Sequence, residues 1–286
     1  MNGLQLTLKQ APALRLDLRG LLPLPLLALD EAALAARPVL LGNQTLPLAE
    51  LFAVQRFEAD QPTLRLVGDL QRADHVGRGL GAGLLQVQGD VGDHAGTAMG
   101  GGELQIHGSA GDLAGCQLAG GRLQVHGNVG DHAASGLPGS LDGMRGGLFI
   151  VHGNAGHRLA DRMRRGSLVV LGDVGDFAAS RLVAGTLVLA GRVGAHPGWG
   201  QRRGSLVLLD SRWQPGPTWV PAGAEAPVAW QLLARSIARL GADLGADLGA
   251  DRGPAAQALQ SLPRRATRCH LGDLAVDGRG ELIQVL

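Results

Sequence analysis

Three histidines recur at one position of an internal repeat and could, by residue type, supply nitrogen ligands to a metal ion. His107, His126 and His152 are expected to stack above one another in successive repeats. Neighbouring strands lie about 4.8 Å apart, so these side chains are too far apart to surround one ion without rotamer adjustment. No carboxylate shares their position. The pattern favours an outward polar ladder, and we predict no metal site on this chain.

Four aspartates recur in the same way and could act as general acids or bases: Asp93, Asp112, Asp131 and Asp176. Each follows a glycine, a setting typical of turns, where the carboxylate accepts hydrogen bonds from nearby backbone amides. Cys116 is a candidate nucleophile, but its repeat contains no base that could activate the thiol. We therefore predict no catalytic residues on this chain.

Seven arginines share the last segment of neighbouring repeats and form what we call the arginine strip: Arg145, Arg162, Arg164, Arg165, Arg181, Arg202 and Arg203. So many guanidinium groups on one side repel one another unless an anion lies against them. Pairing with the chain's own acids, or simple solvation, is one interpretation. The other is a docking strip for an acidic partner surface or a polyanionic ligand.

A repeat that spans residues 63–210 must position all of these side chains. One copy reads Gly102-Glu-Leu-Gln-Ile-His-Gly108-Ser-Ala-Gly111-Asp112. Its second glycine recurs at steps of 21, 19, 19, 26, 19 and 19 residues: Gly68, Gly89, Gly108, Gly127, Gly153, Gly172 and Gly191. A fixed period of this size is typical of stacked repeats. The long step indicates a seven-residue insertion within residues 134–143, a loop that leaves the repeat.

Each repeat opens with the period-2 apolar pattern of a strand, so equal positions of successive repeats should stack into apolar columns. The first column comprises Leu64, Leu85, Leu104, Leu123, Phe149, Leu168, Leu187 and Leu206. A second runs from Leu66 to Leu208, a third from Leu70 to Val193, and a fourth from Leu80 to Leu182. We predict an all-β fold, a right-handed parallel β-helix of about seven turns.

The flanking segments lack the repeat and predict three parts of the chain. Residues 1–62 would form a small β-rich N-terminal cap, residues 63–210 the repeat domain and residues 211–286 a C-terminal extension. Within the cap, Asp30 is placed to begin a short helix. In the extension, an amphipathic helix over 228–240 is expected to pack on the C-terminal end, and a hairpin is expected around Asp277 and Gly278.

Composition limits the classes of function. A net charge of +1 argues against nucleic acid as the main partner, and no apolar run is long enough for a membrane span. The first residues lack a secretion signal, and the two cysteines belong to no metal or redox motif. We expect a cytoplasmic protein.

Several phrases closely resemble a known family. Gly143-Met-Arg-Gly-Gly, His152-Gly-Asn-Ala-Gly and Gly172-Asp-Val-Gly-Asp-Phe are similar to the repeat domain of the glycine-repeat subunit of formylmethanofuran dehydrogenases, and of its counterpart in the formyltransferase/hydrolase complex of methylotrophic bacteria. The same glycine repeat is similar to the C-terminal domain of the glutamate synthase large subunit. The resemblance covers nearly the whole chain, to Cys269-His-Leu-Gly-Asp-Leu near its end.

The resemblance implies a non-catalytic scaffold subunit. In such a complex a hydrolase-like metal-binding subunit and a formyltransferase subunit, with a further small subunit, convert formyl-tetrahydromethanopterin to formate through a methanofuran-type carrier. No cofactor is expected on this chain; the metal ion and the carrier belong to other subunits. The carriers end in glutamate chains, so the arginine strip would guide that tail or dock a subunit.

Two alternatives stay open at this point. The chain could be the glycine-repeat subunit of a formylmethanofuran dehydrogenase proper, although its richness in arginine, alanine and leucine favours the bacterial complex. It could also be a stand-alone β-helix enzyme, which would need acids and bases clustered on one face.

Overall fold

The computed structural model describes residues 2–222, 228–247 and 253–286. Its helices are α1 (Pro23–Leu27), α2 (Glu31–Ala35), α3 (Leu48–Leu51), α4 (Val228–Asp247) and α5 (Gly253–Ser261), with 3₁₀ helices at Leu262–Arg264 and Leu274–Val276. The first eight strands are β1 (Gly3–Leu8), β2 (Leu16–Asp17), β3 (Pro38–Leu41), β4 (Gln44–Pro47), β5 (Phe52–Phe57), β6 (Thr63–Val67), β7 (Ala73–Asp74) and β8 (Leu84–Gln88). The others are β9 (Gly100–Ile106), β10 (Gly120–Val125), β11 (Arg145–Val151), β12 (Arg165–Val170), β13 (Thr186–Leu189), β14 (Ser205–Leu208), β15 (Val220–Ala222), β16 (Thr267–Gly272) and β17 (Gly280–Val285).

Most strands belong to one mixed sheet of 13 strands, in the order β15-β16-β17-β14-β13-β12-β11-β10-β9-β8-β6-β1-β5. All pairings from β1 through β14 to β17 are parallel, whereas β5 at one end and β16 and β15 at the other pair antiparallel. A second sheet of four short strands, β4-β3-β2-β7, lies in the N-terminal part. The division of the chain at residues 62 and 210 stays a prediction.

The predicted first apolar column is confirmed by the register of the parallel pairs. Leu85 lies opposite Leu104, and Leu104 opposite Leu123, with the same pairing carried on through Phe149 to Leu206. All of these side chains are buried, as are those of the second column. The repeat thus places equal residues on equal strand positions, which keeps one face of the sheet dry.

Close stacking of the repeats requires glycine where successive backbones nearly touch. A Cβ atom built on Gly120 would lie 2.4 Å from the carbonyl oxygen of Gly100, well inside contact distance. Any larger residue at this corner would push the two repeats apart, which explains why the corners of the early repeats are built from glycine and alanine.

The prediction of an all-β, right-handed parallel β-helix is wrong. Each repeat gives one continuous strand to the 13-stranded mixed sheet, whereas the third column, Leu70 to Val193, is joined only by isolated bridges between single residues. The reason is local conformation. In one repeat Leu113, Gly115 and Gln117 have φ values of +62°, +64° and +55°, and residues in the left-handed region cannot continue a strand. Helices and antiparallel strands complete the fold.

The predicted helix at 228–240 is confirmed and extends as α4 to Asp247, but it does not pack on the C-terminal end. With α5 it covers the outer face of the sheet, where Trp230 and Ile237 pack in one cluster with Val169, Val188 and Val207. The outer side chains of the early strands are instead polar and hydrogen-bonded, as between Gln86 and Gln105. The outer face changes from polar to apolar where the helices cover it.

Smaller predictions outside the repeat are also confirmed. The Asp30 carboxylate accepts a hydrogen bond from the Ala33 amide at 2.7 Å and caps α2. β16 and β17 pair antiparallel around a connection that includes Asp277, although β16 begins earlier than the predicted hairpin. In the described part of the chain, no helix combines the length and the apolar character that a membrane span requires.

Truncation of a core leucine tests the column. Leu123 is fully buried, so Leu123→Ala should lower the free energy of unfolding by about 2–5 kcal/mol through lost burial and the remaining cavity. The matched control is Leu141→Ala, since 69% of the Leu141 surface is exposed and its loss should cost little. Denaturant titration measures both changes, and equal losses would contradict the buried column.

Candidate functional site

The histidine ladder exists, but its geometry is that of stacked rings. The rings of His107 and His126 are 5.0 Å apart between centroids, and those of His126 and His152 are 4.5 Å apart. The Nε2 atom of His152 lies 2.9 Å from the Gln124 amide nitrogen, which engages it in a side-chain hydrogen bond. Over the residues that the structure describes, no three histidine, cysteine or acidic side chains are grouped to hold a metal.

The repeat aspartates have a structural role, but the predicted partner was wrong. The Asp93 carboxylate accepts from the Asp112 amide at 3.0 Å, and the Asp112 carboxylate accepts from the Asp131 amide at 2.8 Å. Each side chain therefore bonds the backbone of the next repeat, 19 residues away, and not its own turn. These bonds join the repeats along the stack.

A second column of the same kind was missed by the sequence analysis. Ser109 Oγ accepts from the Asn128 amide, and Asn128 Oδ1 accepts from the Asn154 amide. The column begins at Asp90 and continues to Asp173, which accepts from the Arg192 amide. The signal was present, since a small acceptor side chain follows the second glycine of most repeats.

Cys116 is unsuited to nucleophilic chemistry. The side chain is fully buried, and burial raises the pKa of its thiol to about 11. Its Sγ atom lies 3.2 Å from the His132 carbonyl oxygen and 3.4 Å from Ser135 Oγ. Neither contact supplies a base, so the thiol is part of the core.

Five arginines of the strip converge on one cavity of about 650 Å³, called the arginine cavity below. Its lining consists of Arg145, Arg164, Arg165, Val183, Ala184, Arg202 and Arg203. Val183 and Ala184 occupy the repeat positions that Arg164 and Arg165 hold one repeat earlier and Arg202 and Arg203 one repeat later. The two small apolar side chains leave room between two pairs of guanidinium groups.

Three arginines of the strip pair with the chain's own acids. Arg181 donates to the Asp161 carboxylate through Nε at 2.8 Å, and Arg162 lies 3.9 Å from the same carboxylate. Arg164 forms an ion pair with Asp142, which belongs to the insertion. Asp161 is buried beneath the strip, and the sequence analysis did not assign it a role.

The other four guanidinium groups of the strip have no ion pair or side-chain hydrogen bond within the described ranges: Arg145, Arg165, Arg202 and Arg203. All four residues are exposed, and all four line the arginine cavity. Their uncompensated positive charge around a small apolar patch can hold carboxylate or phosphate groups, for which the planar guanidinium is suited.

A solved structure is similar to this chain over nearly its whole length. No protein-family model matches the chain, and no curated protein does. One chain in the X-ray crystal structure of the formyltransferase/hydrolase complex (FhcABCD) from Methylorubrum extorquens, in complex with methylofuran, is 35% identical to it in sequence. The match covers 98% of each chain with a TM-score of 0.84.

Removal of one inter-repeat acceptor tests the aspartate column. Asp112→Ala should lower the free energy of unfolding by about 0.5–1.5 kcal/mol, because the Asp131 amide loses its acceptor. Asp112→Asn should recover most of that loss, since Asn128 and Asn154 already act as acceptors in the second column. Equal destabilisation by both variants in urea titration would show that the bond does not matter.

Proposed function

Since this chain belongs to the same family as a subunit of the formyltransferase/hydrolase complex FhcABCD, we propose that it is the non-catalytic, glycine-repeat scaffold subunit of such a complex. The observation that carries the proposal is 35% identity over 98% of both chains. A match of that extent includes the surfaces as well as the core, so the partners of the relative are the natural partners of this chain.

The proposed complex converts formyl-tetrahydromethanopterin to formate through a methanofuran-type carrier. A formyltransferase subunit and a hydrolase-like metal-binding subunit carry the chemistry, and this chain holds them in place. The engagement of its own reactive groups supports that division. The repeat aspartates bond backbone amides of the next repeat, and the one candidate nucleophile is a core thiol. The relative comes from a formyltransferase/hydrolase complex, which favours this assembly over a dehydrogenase.

Copurification tests the scaffold role. The tagged chain, expressed at its native level in its source organism, should copurify with the hydrolase-like and transferase subunits. The purified chain alone should neither transfer nor hydrolyse the formyl group. A chain that stays a free monomer under these conditions, or that is active without partners, would overturn the proposal.

The arginine cavity is the proposed docking patch for an acidic face of a partner subunit. Its four unpaired guanidinium groups are exposed and lie on successive repeats, which suits an extended acidic surface. The competing role is a path for the acidic tail of the carrier, in which exposed contacts of about 0–1 kcal/mol each attract the tail without fixing it.

Charge reversal separates the two roles. If the patch docks a subunit, the double change Arg202→Glu and Arg203→Glu should dissociate the complex in gel filtration whatever the substrate. A carrier path predicts an intact complex with slower turnover of the acidic-tailed carrier, most strongly at low salt, where screening is weakest. The control is Arg235→Glu with Arg239→Glu, an equal change of charge at exposed positions of α4. Unchanged assembly and turnover would reduce the patch to a solvated surface.

A further inference from the structure

A second cavity adjoins the arginine cavity and has a different character. It measures about 550 Å³ and shares Arg164, Val183 and Arg202 with its neighbour. Its other walls bring together three separate segments: the insertion, the loop around Trp199 and the 3₁₀ helix at Leu274–Val276. We call this cavity the Trp199 groove.

The groove is lined by large apolar side chains that remain exposed. Leu141 is 69% exposed, Trp199 50% and Val276 39%. Leu274, next to the groove on the same 3₁₀ helix, is 50% exposed. Exposed apolar groups are common singly, but here three segments remote in sequence present them to one depression. Such a cluster marks a surface that another molecule covers.

The walls are fixed before any partner binds. The Trp199 ring packs edge-on against Phe177, with ring centroids 6.3 Å apart and planes at 88°. The Trp199 carbonyl oxygen accepts from the Arg181 amide at 2.7 Å. A rigid aromatic side chain loses little conformational entropy when a partner packs against it.

Asp273 fixes the opposite wall to the same loop. Its buried carboxylate accepts from the Gly200 amide at 2.9 Å and from the Ala275 amide at 3.0 Å. These bonds lower the pKa of the Asp273 carboxyl despite its burial, so the group is ionised and its acceptor bonds are retained at neutral pH. The Trp199 loop and the 3₁₀ helix are thus held as one unit.

The charges of the groove select an acidic partner. Four arginines line it, namely Arg162, Arg164, Arg181 and Arg202, against the single carboxylate of Asp273. Arg202 has no side-chain partner in the part of the chain described, and it faces both cavities. A purely apolar ligand would leave these cations uncompensated, and a bare polyanion would gain nothing from Trp199 and Leu141.

The depression is also long. Beyond Trp199 a third cavity of about 340 Å³ shares Trp199, Asp273 and Ala275 with the groove. It continues past Trp213 and Trp219. The three cavities form a continuous line with cationic residues at one end and aromatic residues at the other, a length that suits a polypeptide segment better than a compact small molecule.

We propose that the Trp199 groove binds a segment of a partner subunit that packs a large apolar side chain against Trp199 and directs carboxylates toward Arg164 and Arg202. The inference rests on the proposed scaffold role and names the chemistry of the partner. Tryptophan and arginine are the residues most enriched among those that dominate the affinity of protein interfaces, which is the composition found here.

Binding of the purified partner subunits to the chain tests this groove. Trp199→Ala should weaken the affinity by about 30-fold or more, as expected for a dominant interface residue. Leu141→Asp, which places a negative charge at the exposed rim, should weaken it independently and serves if Trp199→Ala disturbs the loop. The matched control is Leu232→Ala, since Leu232 is 62% exposed on α4, away from the groove, and its affinity should not change. Circular dichroism and thermal melting should be unaltered in all three variants.

The outcomes are distinct. If the wild-type chain binds the subunits and both groove variants bind equally well, the groove proposal is wrong and the scaffold role stands. If the wild type does not bind them, both fail together. Loss of binding to poly-L-glutamate without loss of subunit binding would assign the groove to a soluble polyanion and would also overturn the proposal.

Discussion

Backbone hydrogen bonding between successive repeats is the constraint on which the rest of this structure depends. Each repeat must lie directly against its neighbours in register, because the strands pair in parallel and the corners approach to contact distance. Glycine at these corners is one answer to the constraint. The columns of aspartate, asparagine and serine are another, since each side chain satisfies an amide that belongs to the next repeat. Neither feature needs a catalytic explanation.

The constraint leaves the outer surface free to differ along the stack. The outward position of the sheet carries Gln86 and Gln105 in early strands and Val188 and Val207 in late ones. Only the late strands are apolar on both faces, and only there do α4 and α5 pack. The early corners carry glycine or alanine, whereas the late ones carry arginine. One backbone arrangement therefore supports a helical cover on one side and a cationic surface elsewhere.

Sequence reasoning predicted the parts of the structure that depend on period. The columns through Leu104 and Ile106 followed from spacing alone, because equal positions of a stacked repeat must meet. The fold class could not be predicted that way, since nothing in the identity of Leu113 or Gln117 signals a left-handed backbone. Likewise, an aspartate after a glycine looks the same whether it bonds its own turn or the next repeat.

The position of the helices and the groove lay partly within reach of the sequence. The change from alternating residues to the continuous apolar run Leu148–Val151, part of β11, and its counterparts in β12 to β14 marks strands that are buried on both faces. The meeting of Leu141, Trp199 and Val276 did not follow from any local pattern. It arises from tertiary contacts between an insertion, a repeat and the C-terminal segment.

The insertion has a consequence for how such a protein can diversify. The Asp131 carboxylate accepts from the His157 amide at 2.7 Å across 26 residues, the same contact that other repeats make across 19. The additional residues are thus accommodated without altering the stack on either side. Chain length at this site is uncoupled from folding, so a lineage can lengthen, shorten or replace the loop and acquire a new assembly partner while the underlying framework stays unchanged.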